Sequence, residues 1–323
     1  MAAVIEIQGL RKTYRSLRRG RRQALDGFDM VVEEGQIHGF LGPNGSGKTT
    51  TLRTLLGLIK ANGGRMRILG RPVPDDLPAV IPQVGAIVES PQFFPHFSGR
   101  VTLSLLADAG GVPKTRVDEV LEQVGLRDRA KDRVKTYSLG MKQRLAVASA
   151  LLKQPRVLIL DEPANGLDPA GIREMRDLMR SLVDVGITVV LSSHILGEVQ
   201  QLCDSVTIIS RGRRVAAGPV SEVLAKHSSG SVRVRLEPGA DLQTAADLLT
   251  SSGAAVSVEP DHLMVSGVER PAWVTRTLAE KGIYVNELTP VTADLEDVFL
   301  QLTGTAPVPG HHRQVDQSAE VPA

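Results

Sequence analysis

Gly42-Pro43-Asn44-Gly45-Ser46-Gly47-Lys48-Thr49 satisfies G-x-x-x-x-G-K-[ST] without a mismatch, and the residues on either side decide how it reads. Before it, Gln36–Leu41 is an apolar run of strand character. After it, Leu52, Leu55, Leu56 and Ile59 recur at i, i+3, i+4 and i+7, one apolar face of a helix. In a strand, glycine-rich turn and helix of this kind, backbone N–H groups turn inward as an anion nest and the helix N-terminus adds its dipole. Lys48 is expected to reach the β- and γ-phosphates of a nucleotide, and the Thr49 hydroxyl to ligate Mg²⁺. The candidate nucleotide-binding set is Gly42, Pro43, Asn44, Gly45, Ser46, Gly47, Lys48, Thr49 and Thr50.

Outward from this loop, short apolar runs alternate with longer helix-periodic ones from about residue 35 to 215, the habit of an α/β core. Val157–Leu160 and Thr188–Leu191 read as buried strands, and Ser205–Ser210 as a further one. Ile172, Met175, Leu178, Met179 and Leu182 mark a helix between the first two. Residues 92–153 are mostly helical by pattern and are expected to form a lobe. The strand Val157–Leu160 runs into Asp161-Glu162-Pro163. Adjacent acids in a loop are ordinarily just solvated. Four apolar residues ahead of them, in a chain that also carries a phosphate loop, favour Asp161 as a Mg²⁺ holder and Glu162 as general base for an attacking water.

Tyr137-Ser138-Leu139-Gly140-Met141-Lys142-Gln143-Arg144 opens a helix whose apolar positions include Leu145, Ala148, Leu151 and Leu152. Ser138 is a good N-cap, which is a complete explanation by itself. A free helix N-terminus with a hydroxyl and a glycine is equally a ready anion site, and local physics does not choose between the two.

The phosphate loop, Ser138–Arg144, Leu158–Pro163, Gly166-Leu167-Asp168-Pro169 and Ser192-Ser193-His194 stand in the order and approximate spacing of ABC-transporter ATP-binding subunits, and residues 4–225 resemble that family strongly. The resemblance implies a nucleotide-binding domain with a β-subdomain, a RecA-like P-loop α/β core and a helical lobe. It implies that Tyr14 stacks on adenine and that Ser138 and Gly140 contact the γ-phosphate held by an opposite subunit. Asp168 then communicates across the dimer, and His194 contacts the γ-phosphate and helps position water. It also implies ATP and Mg²⁺ as cofactors, a homodimer, a separate multi-span permease, and a cytoplasmic location on the inner face of the membrane.

Three departures qualify the resemblance. Tyr137-Ser138-Leu139-Gly140-Met141 stands where the family signature reads LSGGQ. Glu89 stands where the family's Q-loop places glutamine; it can still offer an oxygen to the metal, with an added negative charge. Arg15–Arg22 (RSLRRGRR) lengthens the segment after Tyr14, and reads as a solvated hairpin tip or as a contact with a membrane surface or a nucleotide edge. Glu89-Ser90-Pro91 and Phe93-Phe94-Pro95 are similar to the drug, antibiotic and lantibiotic exporter branch.

Beyond Lys226–Gly230 the composition shifts, which places an ABC ATP-binding domain at 1–226, a linker at 227–230 and a small α+β domain at 231–303. Val232, Val234 and Leu236 alternate with Arg233 and Arg235. A helix near 241–250, a hairpin over 254–266, a helix near 271–281 and a strand at 283–288 complete a βαββαβ order of ferredoxin-like type. A last helix is expected at Leu295, Val298, Phe299 and Leu302, and residues 304–323 read as a disordered tail whose His311-His312 pair lacks the further ligands of a metal site.

The chain has 323 residues with 38 Lys+Arg against 36 Asp+Glu, a balance that argues against a dedicated nucleic-acid binder. One cysteine, Cys203, excludes an intramolecular disulfide and fits a reducing compartment. No signal peptide and no run of about 20 apolar residues is evident, so the chain is expected to be soluble and to need a membrane partner for transport. These readings favour the motor subunit of an exporter of drugs, peptides or lipids. The alternatives are a soluble ABC ATPase acting on ribosomes or nucleic acid, and a regulatory or immunity ATPase.

Overall fold

The computed structural model describes residues 2–16, 20–88, 92–227, 231–268, 270–291 and 294–303. Glu89, residues 228–230 of the expected linker and the tail from 304 lie outside them.

A long antiparallel hairpin, β1 (Ala3–Ser16) and β2 (Gly20–Glu33), comes first, then β3 (Ile37–Leu41) and α1 (Lys48–Leu55). The chain continues through β4 (Gly63–Ile68), β5 (Arg71–Val73), α2 (Leu77–Val80) and β6 (Val84–Ile87). The lobe holds α3 (Gly99–Gly110), α4 (Thr115–Gln123) and α5 (Leu139–Leu151). β7 (Val157–Asp161), α6 (Pro169–Asp184), β8 (Thr188–Ser193), α7 (Leu196–Leu202), β9 (Ser205–Ser210), β10 (Arg213–Pro219) and α8 (Val220–His227) follow. The last module runs β11 (Ser231–Leu236), α9 (Leu242–Ser251), β12 (Ala255–Val258), β13 (Leu263–Ser266), α10 (Pro271–Ala279) and β14 (Val285–Val291). α11 (Leu295–Thr303) ends the described chain.

β3, β7 and β8 are buried almost throughout, with no alternation of buried and exposed positions, because both faces of their sheet are covered. The sheet runs β10-β9-β3-β8-β7-β6, parallel except where β10 turns back on β9. One face packs on α1 and on the antiparallel sheet β2-β1-β4-β5; Phe28, Phe40, Leu52 and Leu55 are fully buried there. The other face packs on the lobe and on α6 to α8, through residues such as Leu145, Leu160, Met179 and Val206. The β11–β14 sheet has the order β12-β13-β11-β14, all antiparallel, with Val232, Val234, Leu263 and Val265 packed against Leu249, Val274 and Leu278 of α9 and α10.

Two sequence expectations change. The helix after the phosphate loop stops at Leu55, short of Ile59, because Gly57 adopts φ 70 in the left-handed region that ends helices. Residues 295–303, grouped by sequence with the second module, pack elsewhere: Leu295 and Val298 are fully buried in the core beneath α7 and α8. The Leu295 N–H donates to Gln200 Oε1 of α7 at 2.8 Å.

Candidate nucleotide site

Three neighbouring parallel strands end level with one another. β8 lies between β3 and β7, with Leu41 opposite Ser193 and Asp161 opposite Ser192. The glycine loop leaves β3, Glu162 leaves β7 and His194 leaves β8, all at the carboxyl edge where open α/β sheets take their ligands. The loop is built for close approach. A Cβ on Gly42 would meet the Ile209 carbonyl oxygen at 2.4 Å. Gly47 adopts φ 120, and a Cβ there would stand 2.8 Å from the Ala24 carbonyl oxygen. Thr51 locks the first turn of α1, its hydroxyl donating to the Gly47 carbonyl at 3.0 Å. The Ser46 Oγ is buried and has no hydrogen-bond partner.

The charged groups form a chain. Lys48 is buried, and its Nζ donates to the Gly42 carbonyl at 2.7 Å while standing 3.4 Å from Glu162 Oε1. The other oxygen, Glu162 Oε2, lies 2.6 Å from His194 Nδ1. Glu162 itself adopts φ 52, the left-handed region that disfavours side chains other than glycine. Thr49 Oγ1 donates to Asp161 Oδ2 at 2.8 Å, and Ser192 Oγ donates to Asp161 Oδ1. Near His194, burial holds the Glu198 carboxyl above the ordinary carboxylate range, opposed by Arg176 and His194.

A cavity of about 260 Å³ opens over the loop, lined by Tyr14, Pro43, Asn44, Lys48, Thr50 and Glu162 among others. Tyr14 is 40% exposed, with Lys12 Nζ 5.1 Å from its ring centre. Arg22, read in the sequence only as part of the basic run, lines the same cavity: it pairs with Tyr14 across the β1–β2 hairpin, and its guanidinium Nη2 is 3.4 Å from the Gly45 carbonyl oxygen. Hairpin register, which the insertion of residues 15–22 hides in the sequence, is the signal that would have found it.

Ser138, Gly140 and Asp168 are not brought to this cavity. Ser138 Oγ accepts from the Met141 N–H at 3.2 Å as the N-cap of α5, and Asp168 Oδ1 accepts from the Gly171 N–H at 3.0 Å as the N-cap of α6. The two segments adjoin each other, since a Cβ on Gly166 would meet Leu139 Cδ2 at 3.2 Å. Tyr137, buried just ahead of Ser138, donates its hydroxyl to the Arg129 carbonyl at 2.7 Å and so ties the segment to the lobe. The phosphate loop and the Ser138–Gly140 segment thus lie apart in one chain, the latter beside the loop of Asp168.

The family described as ABC transporter matches residues 25–165. The bacitracin transport ATP-binding protein BcrA of Bacillus licheniformis is 39% identical over 311 residues, 94% of this chain and 98% of that one. The chain belongs to the ABC-transporter ATP-binding subunits. The daunorubicin/doxorubicin resistance ATP-binding protein DrrA of Streptomyces peucetius is 33% identical over 326 residues, 98% of this chain and 96% of that one. Among solved structures, cbiO1 from Clostridium perfringens, part of the ABC transporter complex cbiONQ, superposes with a TM-score of 0.63 at 29% identity, over 70% of this chain and 92% of that one. This ABC subunit therefore binds and hydrolyses ATP. Among the described residues no helix is long and apolar enough to cross a membrane.

The donor set also fits a hard divalent cation. Thr49 and Asp161 offer hydroxyl and carboxylate oxygens side by side, with no sulfur ligand. The described residues contain no cluster of three or more His, Cys, Asp or Glu that could hold a metal ion.

Proposed function

We propose that this ABC subunit is the ATP-hydrolysing motor of an exporter, driving a drug- or antibiotic-like cargo through a separate multi-span permease on the inner face of the membrane. The observation that carries the reading is the end-to-end likeness to the bacitracin transport subunit, which extends through the second module as well as the ATPase core. The lobe offers exposed apolar side chains to such a permease: Phe94 and Phe97, exposed at 68% and 38%, pack together with ring centres 5.2 Å apart, and Val101 and Leu105 of α3 are exposed as well.

In the proposed mechanism Tyr14 stacks on adenine and the N–H groups of residues 42–50 hold the phosphates. Lys48 exchanges the Gly42 carbonyl for the β- and γ-phosphates. Thr49 and Asp161 would hold Mg²⁺, which when bound neutralises charge on the phosphate oxygens. Glu162, steadied by His194 at Oε2, accepts a proton from the attacking water at its carboxylate. Ser138 and Gly140 reach the γ-phosphate of a second copy, with Asp168 at the junction, so hydrolysis requires head-to-tail closure of two chains. Release of phosphate then opens the pair.

Replacing Glu162 by Gln should leave ATP binding intact, abolish turnover and accumulate a nucleotide-bound dimer on size exclusion; near-normal hydrolysis would remove Glu162 from its role. For the export reading, tagged protein pulled from detergent-solubilised native membranes should retain a stoichiometric multi-span chain. Ribosomal proteins or nucleic acid in its place would overturn that reading.

A further inference from the structure

Ser192 is fully buried at the end of β8, yet its hydroxyl is used twice. It donates to Asp161 Oδ1, and its Oγ accepts from the Glu162 N–H at 3.0 Å. The same N–H reaches the Ser192 carbonyl oxygen at 3.2 Å. The next residue behaves differently: Ser193 Oγ accepts from the Ile195 N–H at 3.0 Å and serves the turn into α7. A serine hydroxyl has one donor and two acceptor positions, and here one donor and one acceptor join the two acids of the site.

We propose that Ser192 is a positioning residue for ATP hydrolysis, its hydroxyl tying the Asp161 carboxylate to the Glu162 backbone so that the metal-holding and proton-accepting groups keep a fixed relation. The proposal rests on the roles given above to Asp161 and Glu162. Ser192 holds Oδ1 and Thr49 holds Oδ2, so the Asp161 carboxylate is fixed in one orientation, with Oδ2 beside the hydroxyl that would share the cation. Meanwhile Glu162, in its left-handed conformation, is pinned where its carboxylate meets both Lys48 and His194. A hydroxyl in a water-poor interior holds such partners more firmly than one in solvent. Loss of the hydroxyl leaves the carbonyl bond to the Glu162 N–H in place, so the strand end stays folded while the Asp161 carboxylate is freed to rotate.

The test compares full-length Ser192→Ala, Ser192→Thr and Asp161→Asn with the unaltered chain. The readouts are ATP affinity with and without Mg²⁺, the Mg²⁺ concentration for half-maximal ATPase activity, and thermal melting. Ser192→Ala should raise the Mg²⁺ requirement roughly tenfold, the scale seen when a group supporting a metal ligand is removed. Metal-free ATP affinity and melting should hold, and Ser192→Thr, which keeps a hydroxyl, should stay near the unaltered chain. An unchanged Mg²⁺ requirement in Ser192→Ala overturns the proposal. So does equal weakening of ATP binding with and without metal, or a Thr variant that behaves like Ala. If Asp161→Asn also leaves the Mg²⁺ requirement unchanged, it is the metal role of Asp161 that fails, and the Ser192 role with it. If Asp161→Asn shifts the requirement and Ser192→Ala does not, the Ser192 role alone fails.

Discussion

Two buried or strained residues show how the core serves the site. Glu162 occupies left-handed backbone space at a cost on the order of 1 kcal/mol, offset by its hydrogen bonds to Ser192 and its contacts with Lys48 and His194. His38 sits on β3, the strand that leads into the phosphate loop, its Nδ1 2.7 Å from Ser205 Oγ and its Nε2 3.0 Å from Thr207 Oγ1 of β9. Full burial lowers its pKa from 6.5 to about 4. Between those pH values the unfolded chain takes up a proton that the folded chain refuses, so stability falls as pH drops through that window. The loss approaches about 3 kcal/mol at the acid end. In His38→Gln that component should vanish, giving a flatter melting temperature against pH from 6.5 to 4 than the unaltered chain. Parallel curves would show that His38 does not titrate with unfolding.

At the scale of elements, the phosphate-loop helix, the strand before the acid pair and the βαββαβ order were legible because apolar period and turn residues are local signals. β6 was not: Val84–Ile87 is four residues long at the sheet edge, too short for a period to show, and it declares itself only by pairing with β7. The destination of α11 was equally hidden. Its apolar positions announce a helix but not which surface they cover, and the surface proves to be α7 and α8 of the ATPase core. Leu295→Ala should therefore destabilise the part of the chain that ATP protects, by about 2–4 kcal/mol, seen as a lower temperature for the ATP-shifted melting transition. A loss confined to a transition that ATP does not shift would place the helix's contribution with the second module.

Across the whole molecule, one chain holds a phosphate loop on one surface and the Ser138–Gly140 segment on another, adjoining the loop of Asp168. If each ATP is clasped between two copies, two different defects should complement. Lys48→Ala removes the proposed phosphate contact. Gly140→Asp adds charge at the signature segment where a Cβ meets nothing closer than Leu167 Cδ2 at 3.8 Å, so the fold should tolerate it. Each variant alone should be inactive, and an equimolar mixture should regain part of the ATPase activity, because a mixed dimer contains one intact composite site. No recovery in a mixture shown to contain mixed dimers would count against a shared site.

The sequence by itself determined the P-loop α/β class and the order of the five motifs, and it picked out Lys48, Thr49, Asp161 and Glu162 as candidates from residue type and local period, whereas His194 was singled out by the resemblance to the family. Only the tertiary structure decided that Glu162 contacts Lys48 and His194 together, that Arg22 shares the cavity with Tyr14, that Ser192 joins the two acids, and that α11 returns to the ATPase core. Those relations depend on strand register and on which apolar faces meet. Register is set by pairing between segments far apart in the chain, as when His38 on β3 pairs with Ser205 on β9 across 167 positions.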